Sequence, residues 1–183
     1  RLRAAGPLMG KRPPPGKGRS TARLAAVQAL YQIELSEGEA DQVIAEFTGH
    51  RLGESIEGEK LAKPDAALFA ELVRGVVLNR RDLDDMIAAV LTEDWTIERL
   101  EILLRCLLRA GAHELADRPD VPARVVISEY VDLADAFYGE KETGLVNGVL
   151  DRLARELRPA ELAVPNGSGP NGSTKTGPST ATG

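Results

Sequence analysis

The sequence predicts an all-α fold, and three observations support this prediction. Apolar residues recur at helical spacing in seven segments between residues 20 and 158. No stretch of useful length alternates apolar and polar residues as a half-buried strand would. Prolines, glycines and polar runs separate the segments. Only helix-on-helix packing can bury the apolar stripes of such a chain.

The first four helices are predicted from their apolar stripes and from the residues before them. Ser20 or Thr21 can cap the first helix and Asp65 can cap the third. Residues 53–64 are polar and contain glycine, which favours a loop. The expected ranges are about 20–35, 40–52, 65–76 and 82–91.

The last three helices are bounded by proline and glycine. A long fifth helix is expected over 96–115, with an apolar stripe wide enough for burial on most sides, so it is the predicted central helix. Pro122 suits the first position of the sixth helix, and Gly139 ends it. The seventh helix is expected over about 143–157, and Pro159 stops it.

One dipeptide within the predicted seventh helix is more typical of a turn than of a helix. Asn147-Gly148 is a typical hairpin turn, but the helical spacing of apolar residues continues through it without a flanking strand pattern. We therefore expect a helix here. A close approach by a neighbouring helix would offset the cost of Gly148, which is about 1 kcal/mol relative to alanine.

Both ends of the chain are poor in apolar residues. Residues 1–19 are rich in proline and glycine and are expected to be a disordered basic arm, and 159–183 a flexible low-complexity tail. Of the 23 basic and 28 acidic residues, seven basic and no acidic ones lie within residues 1–23. A basic arm on an acidic body indicates contact with a polyanion or, alternatively, a solubilising tail.

The sequence offers no catalytic or metal-binding pattern. His50 and His113 stand far apart outside any ligand spacing, and Cys106 is the single cysteine, within an apolar helix. No phosphate-binding or dinucleotide-binding glycine motif is present. No apolar run is long enough for a membrane span. We therefore expect a cytoplasmic protein that is not an enzyme and has no metal, cofactor or membrane contact.

RNA binding is the function that the charges favour. Arg19 and Arg23 are four residues apart, so both lie on one face at the start of the first helix. Backbone N–H groups and the positive end of the helix dipole lie there too, which favours phosphate. Tyr31, on the same helix, either stacks on an unpaired base or packs its ring in the core.

Further candidates lie in the second half of the chain. Arg105 and Arg109, also four residues apart, either form a second basic patch or pair with Glu101. Lys141, before the last helix, is a further candidate contact.

Six short stretches of the sequence form a recognisable set that ends in a Val-Asn-Gly-Val-Leu-Asp run. They are Ala26–Tyr31, Leu108–Leu115, Asp120–Pro122, Ile127–Glu129, Leu133-Ala134 and Phe137 followed by Leu145–Asp151. Taken together, and in this order over about residues 19–158, they resemble the NusB family.

The resemblance implies two stacked helical subdomains, with the break before or within the fourth helix. It also implies binding to the boxA RNA of nascent ribosomal RNA leaders, jointly with NusE, a small-subunit ribosomal protein. The pair would then help RNA polymerase read through terminators, and a homodimer is possible. The family's basic helix start corresponds to Arg19 and Arg23, its tyrosine to Tyr31, and its central-helix position to Arg105.

Two alternatives stay open at this point. Similar helical domains precede some ribosomal RNA cytosine methyltransferases, although this chain shows no catalytic half. The chain could also be a protein-interaction scaffold without RNA binding.

Overall fold

A computed structural model of the chain describes residues 18–51 and 64–163, except the side chains of residues 50 and 51. Residues 1–17, 52–63 and 164–183, which hold most of the predicted arm (1–19), loop (53–64) and tail (159–183), lie outside the described residues. The helices are α1 (Gly18–Ser36), α2 (Ala40–Glu46), α3 (Ala66–Leu78), α4 (Arg80–Val90), α5 (Ile102–Asp117), α6 (Ala123–Phe137), α7 (Glu140–Leu157) and α8 (Pro159–Leu162). A π-helical turn over Phe47–Arg51 continues α2, and a 3-10 turn covers Ile97–Arg99.

The described residues contain helices and no strand, so the all-α prediction is confirmed. Helices α1, α2 and α3 pack against one another, and α4 and α6 both pack against α7. Helix α5 touches members of both groups. The division falls before α4, as the family resemblance implied.

Helix α5 is the centre of the molecule. Twelve of its sixteen residues are buried, which confirms the predicted central helix. Its neighbours approach it closely at two glycines. A Cβ on Gly111 would lie 2.9 Å from the side chain of Leu150 on α7, and a Cβ on Gly75 of α3 would lie 2.2 Å from the His113 ring. His113 of α5 and Leu150 of α7 therefore occupy the space that a side chain on Gly75 or on Gly111 would need.

Two helix starts differ from the prediction. Helix α5 begins at Ile102 rather than at Thr96, because the chain is extended at Leu100 and buries that side chain to 3% exposure. Helix α7 begins at Glu140, three residues earlier than predicted. Gly139 is extended there and accepts the first helical hydrogen bond, from the Thr143 N–H, at 3.1 Å.

The expected close approach at Gly148 is wrong. Apart from the helix's own backbone and Gly148's chain neighbours, none of the described atoms lies within 4 Å of a Cβ built there, and the close contacts occur at Gly75 and Gly111 instead. The expected tail start at 159 is also corrected. Residues 159–162 form the one-turn α8, and its Leu162 is only 8% exposed, because it packs against the core.

Arg158 joins the end of α7 to the end of α5. Its guanidinium donates to the carbonyl oxygens of Glu114 and Leu115 at 2.9 and 2.7 Å, and to those of Arg118 and Val121 in the following loop. The last carbonyls of a helix have no partner within it and carry partial negative charge. Arg158 therefore supplies hydrogen-bond donors to carbonyl oxygens at the end of α5 and fixes the loop after it.

Candidate nucleic-acid interface

The first turn of α1 presents Arg19 to solvent, as predicted. Its side chain is 45% exposed, and its Nη2 lies 3.6 Å from an oxygen of Asp120. Asp120 stands in the loop between α5 and α6. Ser20, the next residue, donates its hydroxyl to Glu129 of α6 at 2.9 Å, which ties the start of α1 to that helix.

Asp120 is also bound by a second arginine. Arg118 donates from Nε and Nη2 to the two oxygens of Asp120, both at 3.0 Å, and from Nη1 to Glu71 at 2.6 Å. Glu71 in turn lies 3.3 Å from Nε2 of His113. Arg118 holds the pKa of Asp120 below its usual range, mainly through these hydrogen bonds.

Arg23 lies in the interior, which corrects its prediction as an RNA contact. Its side chain is 2% exposed, and its Nε donates to Glu114 of α5 at 2.9 and 3.2 Å. Tyr130 of α6 donates its hydroxyl to the same carboxylate at 2.9 Å. Burial alone would lower the pKa of Arg23, but Glu114 outweighs burial and raises it. Arg23 anchors α1, because α5 covers the helix one turn beyond Arg19.

The prediction of Arg109 as an RNA contact is corrected in the same way. Its side chain is 5% exposed; it donates to both oxygens of Asp84 on α4, at 2.6 and 2.8 Å, and to Glu34 on α1 at 3.0 Å. Its partners are therefore Asp84 and Glu34 rather than Glu101. All three guanidinium nitrogens are bound to carboxylates of the fold and the side chain is 5% exposed, so Arg109 is not presented to phosphate.

The remaining candidates stay at least partly accessible. Tyr31 is half-buried with its ring against the core. Arg105 is half-buried, and its Nε is buried with no hydrogen-bond partner among the described residues. Lys141 is exposed, and its Nζ lies 5.0 Å from the ring centroid of Trp95.

Arg19 and Arg105, two of the candidate RNA contacts, lie at opposite ends of the α1–α5 pair. Helices α1 and α5 are antiparallel, because Arg23 pairs with Glu114 near one end and Glu34 with Arg109 further along. At 1.5 Å per residue, Arg19 and Glu34 are separated by about 22 Å along α1. Arg105 lies one turn beyond Arg109, towards the start of α5, and so at the other end of the pair from Arg19.

Arg118 and Asp120 were missed as functional candidates from the sequence. The signal available was the alternation of charge in Asp117-Arg118-Pro119-Asp120, but nothing in that run says that Arg19 meets it. Only the antiparallel packing of α1 on α5 brings Arg19 within reach of Asp120, 101 positions further along the chain.

The described residues contain no group of three side chains suited to a metal ion. Cys106 is buried, and burial raises its pKa to about 12, so its thiol is no nucleophile at neutral pH. Within residues 18–51 and 64–163, no helix is both long and apolar enough to cross a membrane.

Comparison with known proteins gives a family match over residues 20–155, to the NusB family. A transcription antitermination protein NusB of Nitrobacter hamburgensis is 50% identical over 145 residues, which are 79% of this chain and 91% of that protein. The protein of the same name from Caulobacter vibrioides is 51% identical over 140 residues, covering 76% and 94%.

Two solved structures share the fold and are 33% and 27% identical in sequence to this chain. A NusB structure from T. maritima has a TM-score of 0.61 and 33% identity, over 75% of this chain and 91% of that one. A complex of antitermination factors NusB and NusE with double-stranded RNA contains a chain with a TM-score of 0.59 and 27% identity, covering 76% and 97%.

Fold and charge together define a small helical protein whose described surface offers cationic groups rather than a catalytic centre. The chain belongs to the NusB family. Its relatives bear the name of a transcription protein and not of an enzyme, which agrees with the prediction from sequence. The match covers 91% of the Nitrobacter protein, so that relative has no room for a methyltransferase half, and the methyltransferase-related alternative is not favoured.

Proposed function

We propose that this chain is a transcription antitermination factor. It binds the boxA element of nascent ribosomal RNA together with NusE, and RNA polymerase then reads through terminators. The observation that carries the proposal is the family match across residues 20–155, with relatives near 50% identity that are named for this activity. A factor that acts on nascent RNA works in the cytoplasm.

The start of α1 is the proposed primary RNA contact. Arg19 is exposed there, in the first turn of a nineteen-residue helix whose positive dipole end favours anions. The preceding seventeen residues hold five basic and no acidic side chains. Such a cationic run adds sequence-independent attraction to phosphate.

Tyr31, Arg105 and Lys141 are proposed secondary contacts. The half-buried ring of Tyr31 can offer an edge or face to an unpaired base. Arg105 is half-buried, so part of its side chain reaches solvent, and Lys141 is exposed beside an indole. Arg23 and Arg109 have supporting roles, because their ion pairs position α1 and α5.

The acidic body suits a basic protein partner. Once residues 1–23 are set aside, acidic side chains outnumber basic ones. Opposite charges across an interface speed association and select the partner. We therefore propose that NusE binds the body while RNA binds the cationic start of α1; whether the chain also forms a homodimer stays a prediction.

The test is a fluorescence-anisotropy titration of labelled boxA RNA with this protein, with and without NusE, at two salt concentrations. We expect weak binding by the protein alone, tighter binding with NusE, and affinity that falls as salt rises. Arg19→Ala should weaken binding and reduce the salt slope by about one, as the loss of one phosphate contact does.

Arg74→Ala is the matched control. Arg74 is 58% exposed and pairs with an exposed carboxylate, Asp41, much as Arg19 pairs with Asp120. It lies on α3 and should leave RNA affinity unchanged. Absence of RNA binding even with NusE present would refute the proposed function, and equal losses from the two variants would refute the role of Arg19.

A further inference from the structure

We infer that Arg19 and Arg118 form a phosphate-binding site for RNA, and that Asp120 occupies this site when RNA is absent. The carboxylate then competes with the RNA backbone and lowers the affinity of the resting protein. This inference rests on the proposed function and adds a residue and an autoinhibitory contact to it.

Two guanidinium groups from different elements converge on one carboxylate. Arg118 donates to both oxygens of Asp120 at 3.0 Å from its Nε and Nη2, and Arg19 from α1 reaches the same group at 3.6 Å. The Nε–Nη2 edge of arginine binds two oxygens of a carboxylate or of a phosphate with the same fork geometry. An anion at the position of Asp120 is therefore what this pair of cations recognises.

Asp120 is placed so that it can be exchanged. Its side chain is 54% exposed, whereas Glu114, the carboxylate that Arg23 of α1 binds, is fully buried. An exposed ion pair contributes little to stability, since water and salt screen both charges. Phosphate can replace Asp120 without exposing an apolar surface or leaving a charge buried.

Arg118 stays oriented after such an exchange. Its third donor, Nη1, remains bound to Glu71 at 2.6 Å. Its backbone carbonyl accepts from Arg158 at 2.7 Å, which fixes the loop. The Nε–Nη2 edge is therefore held ready for an incoming anion.

The site also lies where RNA is expected to arrive. Arg19 belongs to the first turn of α1, directly after the basic stretch of the sequence. A strand attracted by that stretch would meet Arg19 and Arg118 together. Two cations on one phosphate bind more strongly than either alone, provided that Asp120 is displaced.

The experiment compares Asp120→Asn with Asp117→Asn in the boxA anisotropy titration, with NusE present. Both carboxylates are 54% exposed and stand three residues apart, but Asp117 pairs with His113 instead of an arginine. Asp120→Asn should tighten RNA binding about two- to fivefold, the effect of releasing an exposed ion pair. Asp117→Asn removes the same charge and should change affinity much less.

Arg118→Ala completes the test. It should weaken RNA binding and reduce the salt slope by about one. In the Arg118→Ala background, Asp120→Asn should lose most of its effect, because the two residues act as a pair. Circular dichroism and thermal unfolding of each variant separate these effects from loss of fold.

Two results would overturn the inference while the proposed function stands. One is an equal gain from Asp117→Asn and Asp120→Asn, which would mean a general effect of net charge. The other is an undiminished gain from Asp120→Asn when Arg118 is alanine. If the unaltered protein with NusE binds no RNA at all, the proposed function and this inference fail together.

Discussion

Arg23 and Glu114 form a forked ion pair that is almost completely shielded from water, although 91 residues separate them in the sequence. Tyr130 adds a hydrogen bond to the same carboxylate. The three side chains come from α1, α5 and α6, so one buried carboxylate joins three helices. This cluster sets the position of α1, and with it the position of Arg19.

Removing the carboxylate should destabilise the fold. Glu114→Ala leaves the guanidinium of Arg23 buried without its counter-charge, and we expect a loss of about 3–5 kcal/mol in the free energy of unfolding. Urea denaturation followed by circular dichroism measures this. Arg23→Met combined with Glu114→Met should be much closer to the unaltered protein, since it leaves no unpaired buried charge.

Asp151→Ala is the surface control for that comparison. Asp151 and Arg155 pair on the outer face of α7, with side chains 39% and 62% exposed. Exposed pairs contribute about 0–1 kcal/mol. If Glu114→Ala cost no more than Asp151→Ala, the buried cluster would not be what fixes α1.

Two helix glycines should respond to alanine in opposite directions. A Cβ on Gly75 would lie 2.2 Å from the His113 ring, whereas one on Gly148 would meet no described atom outside its own helix backbone and chain neighbours within 4 Å. We expect Gly148→Ala to stabilise the protein by about 0.5–1 kcal/mol, because alanine favours helix. We expect Gly75→Ala to destabilise it by about 1–3 kcal/mol through overpacking. Thermal unfolding measures both.

The double variant Gly75→Ala with His113→Ala checks the assigned cause. If the clash with the imidazole ring is responsible, the alanine at position 75 should cost much less when the ring is absent. An unchanged cost would place the strain elsewhere on α3.

Cys106 should be protected from thiol reagents by the fold. Burial raises its pKa to about 12, while an unfolded thiol titrates near 8.5. Iodoacetamide at pH 8.5 should therefore alkylate the native protein far more slowly than the protein in urea, as measured by mass spectrometry. Rapid labelling of the folded protein would contradict the buried position.

The same pKa difference makes stability depend on pH. Between about pH 8.5 and 12 the unfolded chain has lost the thiol proton and the native chain keeps it, so the unfolded state binds fewer protons. Stability therefore falls as pH rises through this range. Cys106→Ala should show a smaller fall over the same range in denaturant titrations.

Helical periodicity predicted the helices because it is a local property of the chain. The wide apolar stripe of α5 identified the central helix, and twelve buried residues confirm it. Boundaries at Thr96 and Pro159 were misplaced, since burial of Leu100 and Leu162 decided them and neither is visible locally.

The site residues were harder to predict, because local sequence cannot show which of two arginines on the same helix face is exposed and which is buried. Arg19 and Arg23 share a helix face and a residue type, yet one is exposed and the other buried. The difference lies in Glu114, far along the chain. Arg109 was misassigned for the same reason, since its partners Asp84 and Glu34 come from two other helices.

The four carbonyl contacts of Arg158 have a consequence for synthesis of the chain. A ribosome makes Arg19 and Arg118 well before Arg158. The loop that contains Asp120 therefore lacks the hydrogen bonds from Arg158 until the end of α7 has been synthesised. The anion-recognising corner is therefore completed late during translation, and a nascent chain that stops before Arg158 would display both cations without the framework that aligns them.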